Sequence, residues 1–166
     1  MAQETRTSAE GPPSATNWKA EYLESVHLIE RLHRQFLEVI RLELDRLRIR
    51  DINNVQALIL YNIGKDELSV GELTQRGCYL GSNVSYNLRK LVDTRYVSQR
   101  PSPYDRRSFR VKATAAGVRL QDQLDGVFER QAGELTRTTL EPEGLVELER
   151  ALRRMEQFWS REAGQG

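Results

Sequence analysis

Asn83, Ser85, Tyr86, Arg89 and Lys90 fall within about two helical turns of one another, and Ser82 stands directly before them. Amides, hydroxyls and guanidinium groups at this density form hydrogen bonds rather than break covalent ones. Asn and Arg side chains match adenine and guanine edges bidentately, and Tyr86 can touch a thymine methyl or bond a phosphate. A second group follows at Asp105, Arg106 and Arg107, at the end of a turn-rich run that starts at Pro101. Two adjacent arginines there suit a narrow minor groove, where the negative potential is deepest. Thr74, Lys90 and Arg110 are candidate phosphate contacts, which set register without reading sequence. Nine Lys and Arg stand against three acids between Ser69 and Lys112, so the net charge of +1 over 166 residues conceals a basic centre between mildly acidic flanks. Such a concentration attracts a polyanion, although the same residues also fit a solvated helix and hairpin.

Residue types that carry catalysis are sparse. His27 and His33 belong to one helical pattern, and Cys78 is the single cysteine, so no disulfide, metal site or cofactor is expected and an enzyme is disfavoured. Cys78, close to Arg76, fits either a partly ionised, oxidisable thiol or a small buried apolar residue. Every apolar stretch is interrupted well short of the roughly 20 residues of a membrane span. Met1–Asn17 lacks the apolar core of a secretory signal. A cytoplasmic protein with no membrane partner is the expectation.

The elements that must position these groups are mainly helical. Met1–Asn17, rich in Ser, Pro, Gly and Thr, reads as a disordered tail. Tyr22, Val26, Ile29, His33, Phe36, Ile40 and Leu47 trace a helical stripe, and Leu28, Leu32, Val39 and Leu42 a second one. A helix apolar on two sides needs two partners, one of them in another subunit. Asp51 is the expected N-cap of a core helix carrying Ile52, Val55, Leu58, Ile59 and Ile63, with Gly64 as its stop. Ser69-Val70-Gly71-Glu72 is a capping box that opens a short helix to about Arg76. A turn from Gly77 to Gly81 precedes a helix from about Ser82 to Asp93, its inner face being Val84, Leu88 and Leu91, with Asn87 assigned to the other faces. Strands are expected at Tyr96–Arg100 and Ser108–Lys112. Thr114 caps a helix to about Thr136. Glu141-Pro142-Glu143 opens a last helix with the seam Leu145, Leu148, Leu152, Met155 and Trp159.

Helix, short helix, turn, helix and hairpin is the order of a winged helix-turn-helix. The run Asp105-Arg106-Arg107-Ser108-Phe109-Arg110-Val111-Lys112-Ala113-Thr114-Ala115-Ala116-Gly117 resembles the wing signature of the MarR family of bacterial transcription regulators, Asp-x-Arg, a strand, then Thr-x-x-Gly. Leu88–Arg100 is similar to the family's passage into the wing. Two positions depart from the pattern: Arg95 replaces a Gly, which implies a strained or different turn, and Ala113 replaces a Leu, which implies weaker packing beneath the wing.

The resemblance implies a mainly α fold with a small β-hairpin wing. Residues 18–50 and 114–166 would supply the N- and C-terminal dimerisation helices, and 51–113 the DNA-binding domain. It implies a homodimer on a pseudo-palindromic operator in double-stranded DNA, acting as a repressor, with Asp105 orienting a wing arginine. It further implies a small aromatic or phenolic effector between the dimer helices and the winged domain. His33, Arg34, Phe36 and Tyr61 are candidates to line that site, while each also fits a core or surface role. A helical interaction adaptor that uses the fold without DNA is the alternative.

Overall fold

The computed structural model describes residues 17–77, 81–103 and 108–164. Along these the chain forms α1 (Trp18–Arg46), α2 (Asn54–Ile63), β1 (Glu67–Ser69), α3 (Val70–Gly77), α4 (Gly81–Asp93), β2 (Val97–Pro101), β3 (Phe109–Ala113), α5 (Ala115–Thr138) and α6 (Pro142–Gly164). The strands make one antiparallel sheet in the order β1-β3-β2, with Leu68 opposite Val111 and Val97 opposite Ala113. The mainly α, small-sheet architecture expected from sequence is what forms.

α2 lies at the centre, touching α1, α3, α4, α5 and β3. Its Ile59, Leu60 and Ile63 are fully buried, together with Ile40 of α1, Leu73 of α3, Leu91 of α4, Val111 of β3 and Leu124 of α5. α6 buries no residue at all. It meets α1 where the Trp159 indole N–H donates to the Tyr22 hydroxyl at 3.1 Å.

Most helix ends follow from their capping residues. The Ser69 hydroxyl accepts from the Glu72 N–H and the Glu72 carboxylate accepts from the Ser69 N–H, the reciprocal box that starts α3. α2 is capped by Asn53 and not by Asp51: Asn53 Oδ1 accepts from the Gln56 N–H, and the Gln56 side chain accepts from the Asn53 N–H. Asp51 instead accepts from the Tyr96 hydroxyl at 3.3 Å, tying the approach to α2 onto the root of β2. Burial and this carboxylate both push the Tyr96 phenol above its ordinary range.

α1 and α4 end alike. Ile49 N–H bonds the Leu44 carbonyl and Arg48 N–H that of Asp45; Tyr96 N–H bonds the Leu91 carbonyl and Arg95 N–H that of Val92. Both are Schellman closures, which need a left-handed residue, and Arg48 and Arg95 adopt it with φ of 59° and 64°. The turn at Arg95 therefore keeps its geometry and carries strain on the order of 1 kcal/mol. It also explains why β2 begins at Val97, one residue later than expected: Tyr96 is committed to closing α4.

The Thr-x-x-Gly run has a structural reason. The Thr114 hydroxyl donates to the Arg95 carbonyl at 2.7 Å and accepts from the Gly117 N–H at 3.2 Å. A β-carbon on Gly117 would stand 2.2 Å from the Tyr96 carbonyl oxygen, so no larger residue fits. Ala113 is buried, with its β-carbon 3.2 Å from that same point. The weak packing expected there gives way to a close approach of strand and helix.

Candidate nucleic-acid interface

α4 is divided lengthwise. Val84, Leu88 and Leu91 are buried against the core, whereas Asn83, Ser85, Tyr86, Arg89 and Lys90 are exposed, Tyr86 by 60%. The apolar face holds the helix so that the groups able to bond base edges stand together on the outside. One assignment is corrected. Asn87 is buried, not outward, and its side chain bonds Gln56 of α2 and the Asn83 carbonyl. It completes the spacing 84, 87, 88, 91, a signal present in the sequence but masked by the polar residue type.

Thr74 of α3 is half-buried, and its hydroxyl donates to the Val70 carbonyl one turn back. Arg110 is also partly covered. It donates to the Glu67 main-chain carbonyl at 2.8 Å and pairs with the Glu67 carboxylate at 3.9 Å, which leaves fewer donors for a phosphate. Arg100 grips the same carboxylate through two nitrogens. Glu67 on β1 thus ties β2 across the central strand β3, and the Arg100 hydrogen bonds hold its carboxyl below the usual carboxylate range. β1 and this clamp were missed from sequence, since a three-residue strand has no periodicity to detect. Together Arg100, Arg110, Lys112, Ser98 and Glu67 line an outer face of the wing sheet with a shallow recess of about 390 Å³.

Cys78, Asp105, Arg106 and Arg107, with the tail through Thr16, lie outside the described residues, as does the side chain of Ser82.

Of the four candidate effector residues, the structure brings two together. Phe36 stacks on Phe128 with ring centroids 6.1 Å apart, and Tyr61 meets the same ring edge-on at 4.9 Å. The Tyr61 hydroxyl donates to Asp125 at 2.7 Å, and that bond, with burial, pushes its phenol above the ordinary range. His33 and Arg34 are exposed on α1. Among the described residues, two recesses lie along α6: one of about 610 Å³ lined by Ile29, Leu152, Met155 and Trp159, and one of about 680 Å³ lined by Tyr22, Phe158 and Trp159. Among the described residues no helix is long and apolar enough to cross a membrane.

Residues 52–117 match a winged helix DNA-binding domain family. The chain is 36% identical over 145 residues to ExpG, a transcriptional activator of exopolysaccharide II synthesis from Rhizobium meliloti, covering 87% of this chain and 75% of that protein. Among solved structures it is similar to a mutant MarR from E. coli complexed with operator DNA, at 24% identity and TM-score 0.69, over 81% of this chain and 95% of that one. It is also similar to the S. aureus MepR–DNA complex, at 20% identity and TM-score 0.69, over 80% and 96% of the two chains. The fold and relatives are those of transcription regulators and not of an enzyme. The chain belongs to the MarR family of winged helix-turn-helix transcriptional regulators.

Proposed function

We propose that the protein works as a homodimer on a pseudo-palindromic DNA operator, with α4 of each subunit in a major groove and each wing against the adjacent minor groove. The observation that carries this reading is the lengthwise division of α4, which exposes Asn83, Ser85, Tyr86, Arg89 and Lys90 beside a buried apolar face. Arg106 and Arg107 are assigned to the minor groove, with Asp105 orienting one of them. Ser82 is assigned to the base-facing set of α4, and Thr74 to a phosphate contact. Leu28, Leu32, Leu148, Leu152 and Phe158 are each more than 40% exposed on α1 and α6, which supports pairing with a second copy. Two copies place two recognition helices about 34–36 Å apart, one duplex turn.

A small aromatic or phenolic effector fits the Phe36, Tyr61 and Phe128 cluster, with His33 about one turn before Phe36 on α1 and Arg34 nearer the opposite side of that helix. It acts only through unequal affinity for the DNA-competent and incompetent forms. The direction of control expected from sequence is repression; the name of the R. meliloti relative favours activation. The setting is the bacterial cytoplasm, where such an operator lies.

Selection of bound duplexes from a random pool, followed by gel shift and sedimentation, tests the proposal. The expected outcome is a two-fold related sequence, a dimer at micromolar protein, and a log–log salt slope of about −9 if each subunit makes five phosphate contacts. A monomer, or a protein that shifts no duplex even in dilute salt, overturns it in favour of an interaction adaptor.

A further inference from the structure

A buried polar pair stands in the contact between α2 and α4. Gln56 and Asn87 are 5% and 8% exposed, and Gln56 Nε2 donates to Asn87 Oδ1 at 3.2 Å. The other end of each amide is also engaged. Gln56 Oε1 accepts from the Asn53 N–H at 3.0 Å, and Asn87 Nδ2 donates to the Asn83 carbonyl at 2.8 Å. The bonds therefore run in one direction, from the cap of α2 through two buried amides to the first turn of α4. Turning either amide over would set donor against donor and acceptor against acceptor.

We infer that Gln56 and Asn87 are positioning residues that fix the rotation of α4 about its own axis, and so determine which base pair each outward side chain meets. The inference rests on α4 being the groove-facing helix. Val84, Leu88 and Leu91 seat α4, but apolar contact is non-directional and survives a small roll. A hydrogen bond weakens steeply off its line. A roll of about 10° carries a side-chain tip about 1 Å at the outer radius of a helix, enough to spoil a bidentate contact between Arg89 or Asn83 and a base. A buried amide pair is seldom a gain in stability over apolar residues of the same volume, and directional register is its best-attested use.

The test compares the parent protein with Asn87→Leu and with the double replacement Gln56→Leu/Asn87→Leu. Each is titrated with a duplex enriched by the parent from a random pool and with a scrambled duplex of the same length and composition, alongside thermal melting. Because Gln56→Leu also takes the acceptor from the Asn53 N–H at the start of α2, the double variant is expected to melt a little below the parent and above Asn87→Leu, and to bind the scrambled duplex within twofold of the parent. Its preference for the enriched duplex is expected to fall tenfold or more. Asn87→Leu alone melts lower, because Gln56 Nε2 stays buried without an acceptor. A double variant that keeps the parent preference overturns the inference, since the pair then only fills space. One that unfolds or loses both duplexes equally overturns it too, because the pair then maintains the fold and not the reading angle. If the parent enriches no sequence, the assignment of α4 itself fails, before any variant is made, and the inference falls with it.

Discussion

The winged core and the terminal helices are built on opposite terms. Between α2 and β3 every element contributes a buried apolar residue to one cluster, with Leu91, Val84 and Val111 at 0% exposure. α1 joins that cluster only through its last turns, at Ile40 and Leu44, and α6 joins it nowhere. Trp18, Tyr22, Leu32 and Phe158 are left 77%, 45%, 57% and 45% exposed. The same periodic apolar pattern thus has two meanings. In the core it records contacts made within the chain; in α1 and α6 it records side chains left exposed, which the proposed dimer covers.

The sharpest way to break that contrast is to disrupt one leucine in each region. Leu91→Ala should lower unfolding free energy by about 2–5 kcal/mol, equally at nanomolar and micromolar protein. Leu152→Glu should leave unfolding at nanomolar protein nearly unchanged and instead weaken self-association by about 2 kcal/mol or more, as loss of a central contact does. Denaturant titration at several concentrations checks both; equal, concentration-independent losses would remove the distinction. Within the core, Arg89→Ala should cost about 1–3 kcal/mol at one base position, while Lys90→Ala should weaken all duplexes alike and flatten the salt slope by about 2 for a dimer. Arg95→Gly should raise stability by about 0.5–1 kcal/mol by releasing the left-handed turn, a gain visible in denaturant midpoint.

The smallest effect concerns the wing clamp. The Glu67 carboxyl is held low by Arg100, so its contribution is fully present above the ordinary carboxylate range and is lost as pH falls through its depressed value. The capping carboxylate of Glu72 is depressed for a similar reason, chiefly by the Ser69 N–H. Glu67→Gln should therefore lower stability slightly at neutral pH, and its curve should converge with the parent's as pH falls through the acid limb. Both groups face water, so solvent screening keeps the change slight.

Legibility in the sequence follows the same contrast. Helices with strong periodicity or a reciprocal cap, such as α3 with Ser69 and Glu72, were placed to within a residue or two. The outward set on α4 was legible because Val84, Leu88 and Leu91 fix the inward side. What escaped was set by partners distant in the chain. Asn53 outcompetes Asp51 as a cap because Tyr96 engages Asp51 from 45 residues away. Asn87 turns inward because Gln56 waits there, and Arg110 is drawn aside by Glu67, which belongs to a strand too short to announce itself. Polar residue type suggests solvent; only the fold reveals which polar groups have found one another.

The junction at Thr114 and Gly117 has a consequence for operator choice. Because it clasps the carbonyls of Arg95 and Tyr96, the stem of the wing is riveted to the end of α4. In the proposed dimer the major-groove and minor-groove grips of one half-site then travel together as a single jaw. On that proposal an effector widens or narrows the gap between the two jaws and leaves the bite of each one as it was cast.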